Sequence, residues 1–223
     1  MAKFKERELA LQLRMGKGMS YSQIKERLRV SKSSLSIWLR DYPLSRERIN
    51  ELRAWSEKRI ERFRDTMRRK KEARLNEAYF VQKKQLLPLT NNELFIAGLF
   101  LYAGEGSKTS FGEVSLSNTN PAIVKFFLYW LTKILYIPKD KIKIKLHLYR
   151  DMDKDKEERY WMGAIGLRKK HFKNPYIKAS SSKRISYRGG FGHGTCNVIV
   201  RDTRLFEKII MGIKVIMDDV SGA

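Results

Sequence analysis

Apolar residues recur at helical spacing near the start of the chain. Residues 6–15 place Leu9 and Leu13 on one face of a helix, and Gly16 and Gly18 follow where such a helix would end. The pattern therefore predicts a first short helix that buries one stripe of side chains.

Two further short helices are predicted within the first 45 residues. Ser20 and Gln23 have the spacing of an N-terminal capping box, and Ile24 gives the helix that follows an apolar face. Ser31 is placed to cap a third helix, in which Leu35 points inward. Three short helices with a tight turn before the last are typical of a helix-turn-helix domain.

The string GMSYSQIKERLRVSKSSLSIWLRD resembles the helix-turn-helix of resolvases, transposases and many bacterial repressors. The resemblance implies that the third helix contacts DNA through outward residues near its N-terminus. Its serines can bond to base edges or phosphates, and its cations can pair with phosphates. A three-helix packing module with solvated polar faces is the alternative. The expected DNA contacts are Lys32, Ser33, Ser36 and Arg40.

The segment that follows, residues 46–85, contains no Gly and no Pro, and strong helix formers dominate it. A continuous helix of that length would span about 60 Å. Its apolar stripe is too irregular for clean heptads, so a spacer, a dimerising coiled coil and a solvated helix stay open as interpretations. Pro88 ends the segment, which gives predicted domains at 1–45, 46–88 and 89–223.

The pattern changes after residue 89. An apolar helix at 93–103 precedes short strands around Val114, and Asn120 with Pro121 is a typical start for the next helix. The string KIKIKLHLY at 141–149 alternates strictly, which indicates a strand with one apolar and one polar face.

A second round of elements follows in the last third of the chain. A helix at 157–167 precedes strands at 175–179 and 195–201, and Asp202 is placed to cap a final helix. The strings VSLSNTNPAIVKFF and VIVRDTRLFEKII both combine a strand, a polar cap and an amphipathic helix. Their likeness indicates an internal duplication.

The string LFIAGLFLYAGEGS resembles the motif helix of LAGLIDADG homing endonucleases, and VSLSNTNPAIVKFF resembles the strand and helix that usually follow it. The resemblance implies an α+β fold in which two duplicated α/β units join through their motif helices. It also implies antiparallel sheets that lie in the DNA major groove.

In that family each motif helix ends in a carboxylate that binds a divalent metal. Glu105 matches this position, which makes it the candidate catalytic and metal-binding residue, with Mg²⁺ as the cofactor if the protein is a nuclease. If Gly98 is matched to Gly163, Lys170 stands where the second carboxylate is expected. One chain would then supply one acidic ligand, and two chains would have to pair through 93–104.

Basic residues of the C-terminal part are the other candidate DNA contacts. The polar face of 141–149 is expected to lie on DNA, although an ordinary solvated sheet face has the same pattern. The Ser- and Gly-rich loop at 180–194 is either able to wrap a phosphate backbone or a merely solvated hairpin. The candidates are Lys108, Lys141, Lys143, Lys145, His147, Lys178, Lys183, Arg184, Arg188 and Arg201.

The strong net positive charge of the chain favours a polyanionic partner. The chain has 47 Lys and Arg against 24 Asp and Glu, a formal net charge of +23. The excess is spread over 1–45 (10 basic, 4 acidic), 46–85 (14 and 7) and 91–223 (23 and 13), which disfavours a single membrane-surface helix.

The chain has no run of 18 apolar residues, no secretory signal and one cysteine, Cys196. These features predict a cytoplasmic protein with no membrane partner and no disulfide framework.

The sequence thus predicts a sequence-specific protein that binds double-stranded DNA, as a monomer or a homodimer. Whether it cleaves DNA stays open. A divalent-metal-dependent endonuclease and a non-cleaving transcriptional regulator are both compatible with the residues. A regulator of sporulating bacteria joins a degenerate LAGLIDADG domain to a helix-turn-helix. An RNA-binding intron maturase is the third alternative.

Overall fold

The computed structural model describes residues 4–52, 55–179 and 192–222 of the chain. Contacts divide the molecule into an N-terminal unit, Met1–Leu87, and a C-terminal unit, Pro88–Ala223. The described residues form nine α-helices and one four-stranded sheet. The predicted α+β class is therefore confirmed.

The N-terminal unit is helical throughout its described residues. Its helices are α1 (Phe4–Lys17), α2 (Tyr21–Leu28), α3 (Lys32–Trp38), α4 (Arg46–Glu51) and α5 (Trp55–Leu86). A small apolar core joins the first three, because α1, α2 and α3 turn their apolar side chains toward each other. That core consists of Ala10, Leu13, Tyr21, Ile24, Val30, Leu35 and Leu39.

Local side-chain caps set the starts of α2 and α3. The hydroxyl of Ser20 accepts from the backbone N–H of Gln23 at 3.2 Å, and the Gln23 side chain accepts from the N–H of Ser20 at 2.9 Å. Ser31 caps α3 by accepting from the N–H of Ser34 at 3.0 Å. Both predicted caps are confirmed, and each satisfies an N–H that has no partner inside its helix.

Apart from Leu52, the described residues of 46–85 are helical, as predicted, but they do not form one continuous helix. Helix α4 ends at Glu51, and Leu52 is extended, with φ −61° and ψ 123°. The reason is tertiary, because Leu44, Ile49 and Leu52 bury themselves in a separate apolar cluster. The Arg62 side chain donates to the side chain of Asn50 at 2.9 Å, which ties α5 to α4 across the break.

A buried ion pair fixes the start of α5 on the first two helices. The guanidinium of Arg14 donates to both carboxylate oxygens of Glu61, at 3.1 and 2.9 Å, and both side chains are at most 3% exposed. Glu61 also accepts from the backbone N–H of Tyr21 at 3.0 Å. The Arg14 guanidinium also donates to the backbone carbonyls of Met19 and Tyr42. The first turns of α5 are therefore part of the N-terminal unit and not a free spacer.

We expect Glu61→Ala to destabilise the N-terminal unit by about 3–5 kcal/mol, because it leaves the Arg14 charge buried without a partner. Hydrogen exchange read by mass spectrometry should show faster exchange in α1–α3 and unchanged exchange in the C-terminal unit. The control is Glu51→Ala, which breaks an exposed pair with Arg48 and should cost less than about 1 kcal/mol. Equal effects of the two changes would contradict the anchoring role of Glu61.

The C-terminal unit combines helices with a single sheet. Its helices are α6 (Asn91–Glu105), α7 (Pro121–Tyr129), α8 (Lys154–Ile165) and α9 (Thr203–Ser221). Its strands are β1 (Glu113–Asn118), β2 (Lys143–Tyr149), β3 (Tyr176–Lys178) and β4 (Thr195–Arg201). The chain continues from α7 into one π-helical turn, Trp130–Ile134.

The strand order is β1-β4-β2-β3, and the pairing is mixed. Strand β4 runs antiparallel to both β1 and β2, whereas β2 and β3 are parallel. The prediction of antiparallel sheets is therefore wrong for the β2–β3 pair. The two strands of the suspected duplication, β1 and β4, are direct neighbours in this sheet, with Leu116 opposite Val198. They do not belong to separate sheets.

Alternation divides the sheet into a buried and a polar face. The buried face packs on α6, α7 and α9, and its residues have relative exposures of 2% or less. Strand β2 begins two residues later than predicted, because Lys141 lies in a 3₁₀ turn, Lys139–Lys141, just before it. The strand residues on the buried face are Val114, Leu116, Ile144, Leu146, Leu148, Cys196, Val198 and Val200.

Gly98 of α6 makes room for an indole. A Cβ at this position would lie 2.0 Å from Nε1 of Trp130, which donates to the carbonyl of Phe95 at 3.2 Å. Gly98 therefore faces Trp130 and not Gly163, the position to which it was matched. A Cβ at Gly163, or at Gly104 near the end of α6, would meet nothing within 4 Å.

We expect Gly98→Ala to destabilise the C-terminal unit by about 1–3 kcal/mol, because the new methyl group forces Trp130 out of its site. Gly104→Ala is the matched control on the same helix, and it should be neutral or stabilising by about 1 kcal/mol. Urea unfolding followed by tryptophan fluorescence measures both. A Gly98→Ala protein as stable as Gly104→Ala would contradict the packing of Trp130 on α6.

Candidate nucleic-acid interface

Three of the four predicted contacts of the N-terminal unit lie on its surface. Lys32, Ser33 and Arg40 are exposed, and Arg40 lies just beyond the end of α3. The fourth, Ser36, is only partly exposed. Its hydroxyl accepts from the guanidinium of Arg64 on α5 at 3.4 Å.

Arg64 is a residue that the sequence reasoning missed. Its guanidinium lies 3.8 Å from the centre of the Tyr21 ring, so it stacks on α2 while it contacts α3. Burial raises the pKa of the Tyr21 hydroxyl above its ordinary value, with Arg64 and Arg14 opposing the shift. Long-range packing alone brings Arg64 to this place, and no local pattern indicates it.

The polar face of the sheet brings candidate contacts from neighbouring strands together. Lys143 lies opposite Ile199, Lys145 opposite Asn197, and His147 opposite Thr195 in β4. Lys143, Lys145 and His147 are half-buried and lie on one face of the sheet, as the alternation of side chains in a strand predicts. Cations, amide and hydroxyl groups thus form rows across β2 and β4.

Asn197 is the second residue that the sequence reasoning missed. Its side-chain oxygen is buried and has no hydrogen-bond partner. It lies between Ser117 of β1 and Lys145 of β2 in the register of the sheet. A buried carbonyl oxygen without a donor lowers stability, and the side chain of Asn197 adds an amide group to the polar face of the sheet.

The edge strand β3 adds an aromatic ring and a cation. Tyr176 is 53% exposed and meets His147 edge-on, with 5.5 Å between ring centres. The ammonium of Lys178 lies 5.1 Å from the centre of the Tyr149 ring. Rings beside cations are suited to stacking on bases as well as to pairing with phosphates.

Other predicted contacts are placed less favourably. Lys141 lies 3.6 Å from a carboxylate oxygen of Asp202, and Arg201 lies 3.2 Å from one of Glu113, so each cation has an acidic neighbour. Lys108 is exposed in the turn before β1. Lys183, Arg184 and Arg188 lie outside the described residues.

Glu105 is the last residue of α6 and is exposed. Its carboxylate accepts from the side-chain amide of Asn118 at 3.3 Å, and the oxygen of that amide accepts from the N–H of Asn120. Among the described residues no three metal-ligating side chains of His, Cys, Asp or Glu come together. At the end of α6 Glu105 is therefore a single carboxylate that faces solvent.

Lys170, which was matched to the position of a second carboxylate, has a partner of its own. Its ammonium lies 2.9 Å from a carboxylate oxygen of Asp140, in the turn before β2. The same contact holds the pKa of Asp140 below its ordinary value.

Comparison with protein-family models, curated proteins and solved structures gave no significant match. In the part of the chain that the structure describes, no helix is both long and apolar enough to cross a membrane.

We expect Lys145→Met to raise the pKa of His147. Burial is the main reason that this pKa lies below its ordinary value, and the nearby charges of Lys145 and Lys178 lower it further. The chain has three histidines, so an NMR titration of the imidazole C–H signals resolves each of them. The control is Lys133→Met, an exposed change outside the sheet that should leave the pKa of His147 in place.

The depressed pKa also gives stability a direction with pH. The folded state disfavours protonated His147, so the stability linked to its deprotonated form is fully present above the ordinary pKa of histidine. This stability is lost as pH falls through the lower pKa that His147 has in the folded state. If Lys145→Met leaves the pKa of His147 unchanged, the two side chains are not neighbours on the sheet in solution.

Proposed function

We propose that the protein is a sequence-specific double-stranded DNA-binding protein. The observation that carries the proposal is the polar face of the sheet, where Lys143, Lys145 and His147 share one face of β2 and the last two stand beside Asn197 and Thr195 of β4. Cations bind phosphates without regard to sequence, whereas amide and hydroxyl groups distinguish base edges. One surface therefore offers both kinds of contact.

The shape of this surface suits a groove of duplex DNA. The DNA major groove is about 12 Å wide and admits two neighbouring strands, which lie about 4.8 Å apart. In this proposal β2 and β4 enter the groove, and the lysines of β2 contact the phosphates. The side-chain amide of Asn197, which lies beside Lys145 in the register, contacts a base edge.

The N-terminal unit supplies a second contact. Lys32, Ser33 and Arg40 are exposed at and after α3, which agrees with the helix-turn-helix resemblance of this segment. Two separate DNA-contacting surfaces on one chain favour a long recognition site over a short one.

Cleavage is a different matter from binding. The LAGLIDADG resemblance makes Glu105 the carboxylate to test, but one chain offers only this carboxylate at the end of α6. A second chain would have to bring its own Glu105 alongside. The exposed side of α6 suits such pairing because it is apolar. It carries Ile96 (37% exposed), Ala97, Phe100 (41% exposed) and Gly104.

We expect the purified protein to select particular duplexes from a random library and to bind them with steep salt dependence. About five to ten phosphates should be neutralised, which corresponds to a slope of log K against log salt of about −5 to −9. Lys143→Ala with Lys145→Ala should lower affinity at least tenfold and reduce this slope. The control pair is Lys125→Ala with Lys133→Ala, exposed cations outside the sheet that should have little effect.

The same library separates the rival functions. A slope near zero, or equal effects of the two double variants, would contradict DNA binding by the sheet. Tighter binding to single-stranded RNA than to any duplex would favour the maturase alternative. Incubation with Mg²⁺ reveals cleavage, and a nuclease should lose it in Glu105→Gln while keeping its affinity for DNA.

A further inference from the structure

A groove of about 1190 Å³ lies in the N-terminal unit between α3, with the residues that follow it, and the first half of α5. We call it the α3–α5 groove. We propose that it is the docking site for an acidic amphipathic helix of a partner protein. It is lined on one side by Lys32, Ser36 and Arg40, and on the other by Phe63, Met67 and Leu75.

The α5 side of the groove carries three large apolar side chains that face solvent among its charged residues. Phe63 is 65% exposed, Met67 46% and Leu75 58%. Met67 follows Phe63 by four residues, and Leu75 follows Met67 by eight. These spacings place the three side chains on one side of the helix. An apolar stripe on an otherwise strongly charged helix marks an interaction surface, because leaving it in water costs free energy.

The rim of the groove carries cations that find no acidic partner in the described part of the chain. Lys32 and Arg40 lie on the α3 side, and Lys71 and Arg74 on the α5 side, and none of the four makes an ion pair there. Two acidic residues of α5 that also line the groove, Asp65 and Glu72, already have partners. Asp65 pairs with Arg68 and Arg69 at 2.7 and 2.8 Å, and Glu72 lies 3.9 Å from Arg68.

The exposed apolar side chains and the unpaired cations of the rim together indicate what kind of partner binds in the groove. A DNA backbone would satisfy the cations but would leave Phe63 and Met67 in water. A second copy of α5 would bring 11 basic against five acidic residues, so like charges would meet across the groove. A helix with one apolar and one acidic face satisfies both features. From Ile60 to Leu75 the groove is about 22 Å long at 1.5 Å per residue, which fits a helix of roughly 15 residues.

Occupancy of the groove has a consequence for DNA, and this part rests on the proposed function. Lys32 and Arg40, two of the candidate DNA contacts, line the groove and would be covered by the docked helix. The partner and DNA then exclude each other at α3, so an acidic partner would lower the affinity for DNA.

The test uses the full chain and a fluorescent 16-residue peptide. The peptide carries Leu and Phe at positions i, i+4, i+7 and i+11, and Glu or Asp at most other positions. A shuffled peptide of the same composition, without an apolar face, is its control. We expect the ordered peptide to bind at least tenfold more tightly in fluorescence anisotropy without DNA.

Paired variants of α5 localise the binding. Phe63 and Phe80 are both 65% exposed on the same helix, but of these two only Phe63 lines the groove. Phe63→Ala should weaken peptide binding about tenfold, and Phe80→Ala should not. Lys71→Glu should likewise weaken it more than Lys70→Glu, whose side chain lies outside the groove lining. All four positions are exposed, so circular dichroism should show intact helices.

Three results would overturn the proposal: equal binding of the two peptides, equal effects of Phe63→Ala and Phe80→Ala, or loss of duplex binding in Phe63→Ala without any peptide binding. The last would assign the groove to DNA. Peptide binding is measured without DNA, so it survives a failure of the proposed function. If peptide and a selected duplex bind together without competition, the exclusion at α3 is wrong.

Discussion

The buried pair of Arg14 and Glu61 is the interaction on which the N-terminal unit depends. Removing two charges from water is expensive, and the cost is met only when the remaining donors and acceptors find partners. Arg14 satisfies this condition through the carbonyls of Met19 and Tyr42, and Glu61 through the N–H of Tyr21. Because the two residues are 47 positions apart, the pair dictates where α5 leaves the small helical core.

The direction of α5 creates the surfaces that surround α3. Arg64 lies one turn beyond Glu61, so the same anchoring places its guanidinium on the Tyr21 ring and on the hydroxyl of Ser36. The apolar side chains of the following turns then face the cations of α3 and the segment after it. A helix that appears in the sequence to be a solvated rod thereby becomes one wall of a groove.

In the C-terminal unit the corresponding constraint is the alternation of side chains in the sheet. Once the apolar residues of β1, β2 and β4 are buried against the helices, the intervening polar residues must share the opposite face. The pairing register then decides which of them meet, so that Lys145 lies beside Asn197 and His147 beside Tyr176. Packing of Trp130 into the space left by Gly98 holds α6 next to the π-helical turn beneath this core.

The sequence by itself determined the features that depend on near neighbours. The caps at Ser20 and Ser31, the alternating strand β2 and the α+β class follow from residues a few positions apart, because capping and periodicity are local. The lysines on the polar face of β2 and the exposed residues of α3 were predictable for the same reason.

Only the tertiary structure decided the break at Leu52, the contact of Ser36 with Arg64 and the parallel pairing of β2 with β3. It alone placed Asn197 with its free oxygen beside Lys145. Apart from the break at Leu52, these depend on contacts between residues about 28 to 80 positions apart, such as Arg64 with Ser36 or Asn197 with Ser117. No local pattern encodes which distant partner will satisfy a buried group, since that choice is made by the packing of the whole unit.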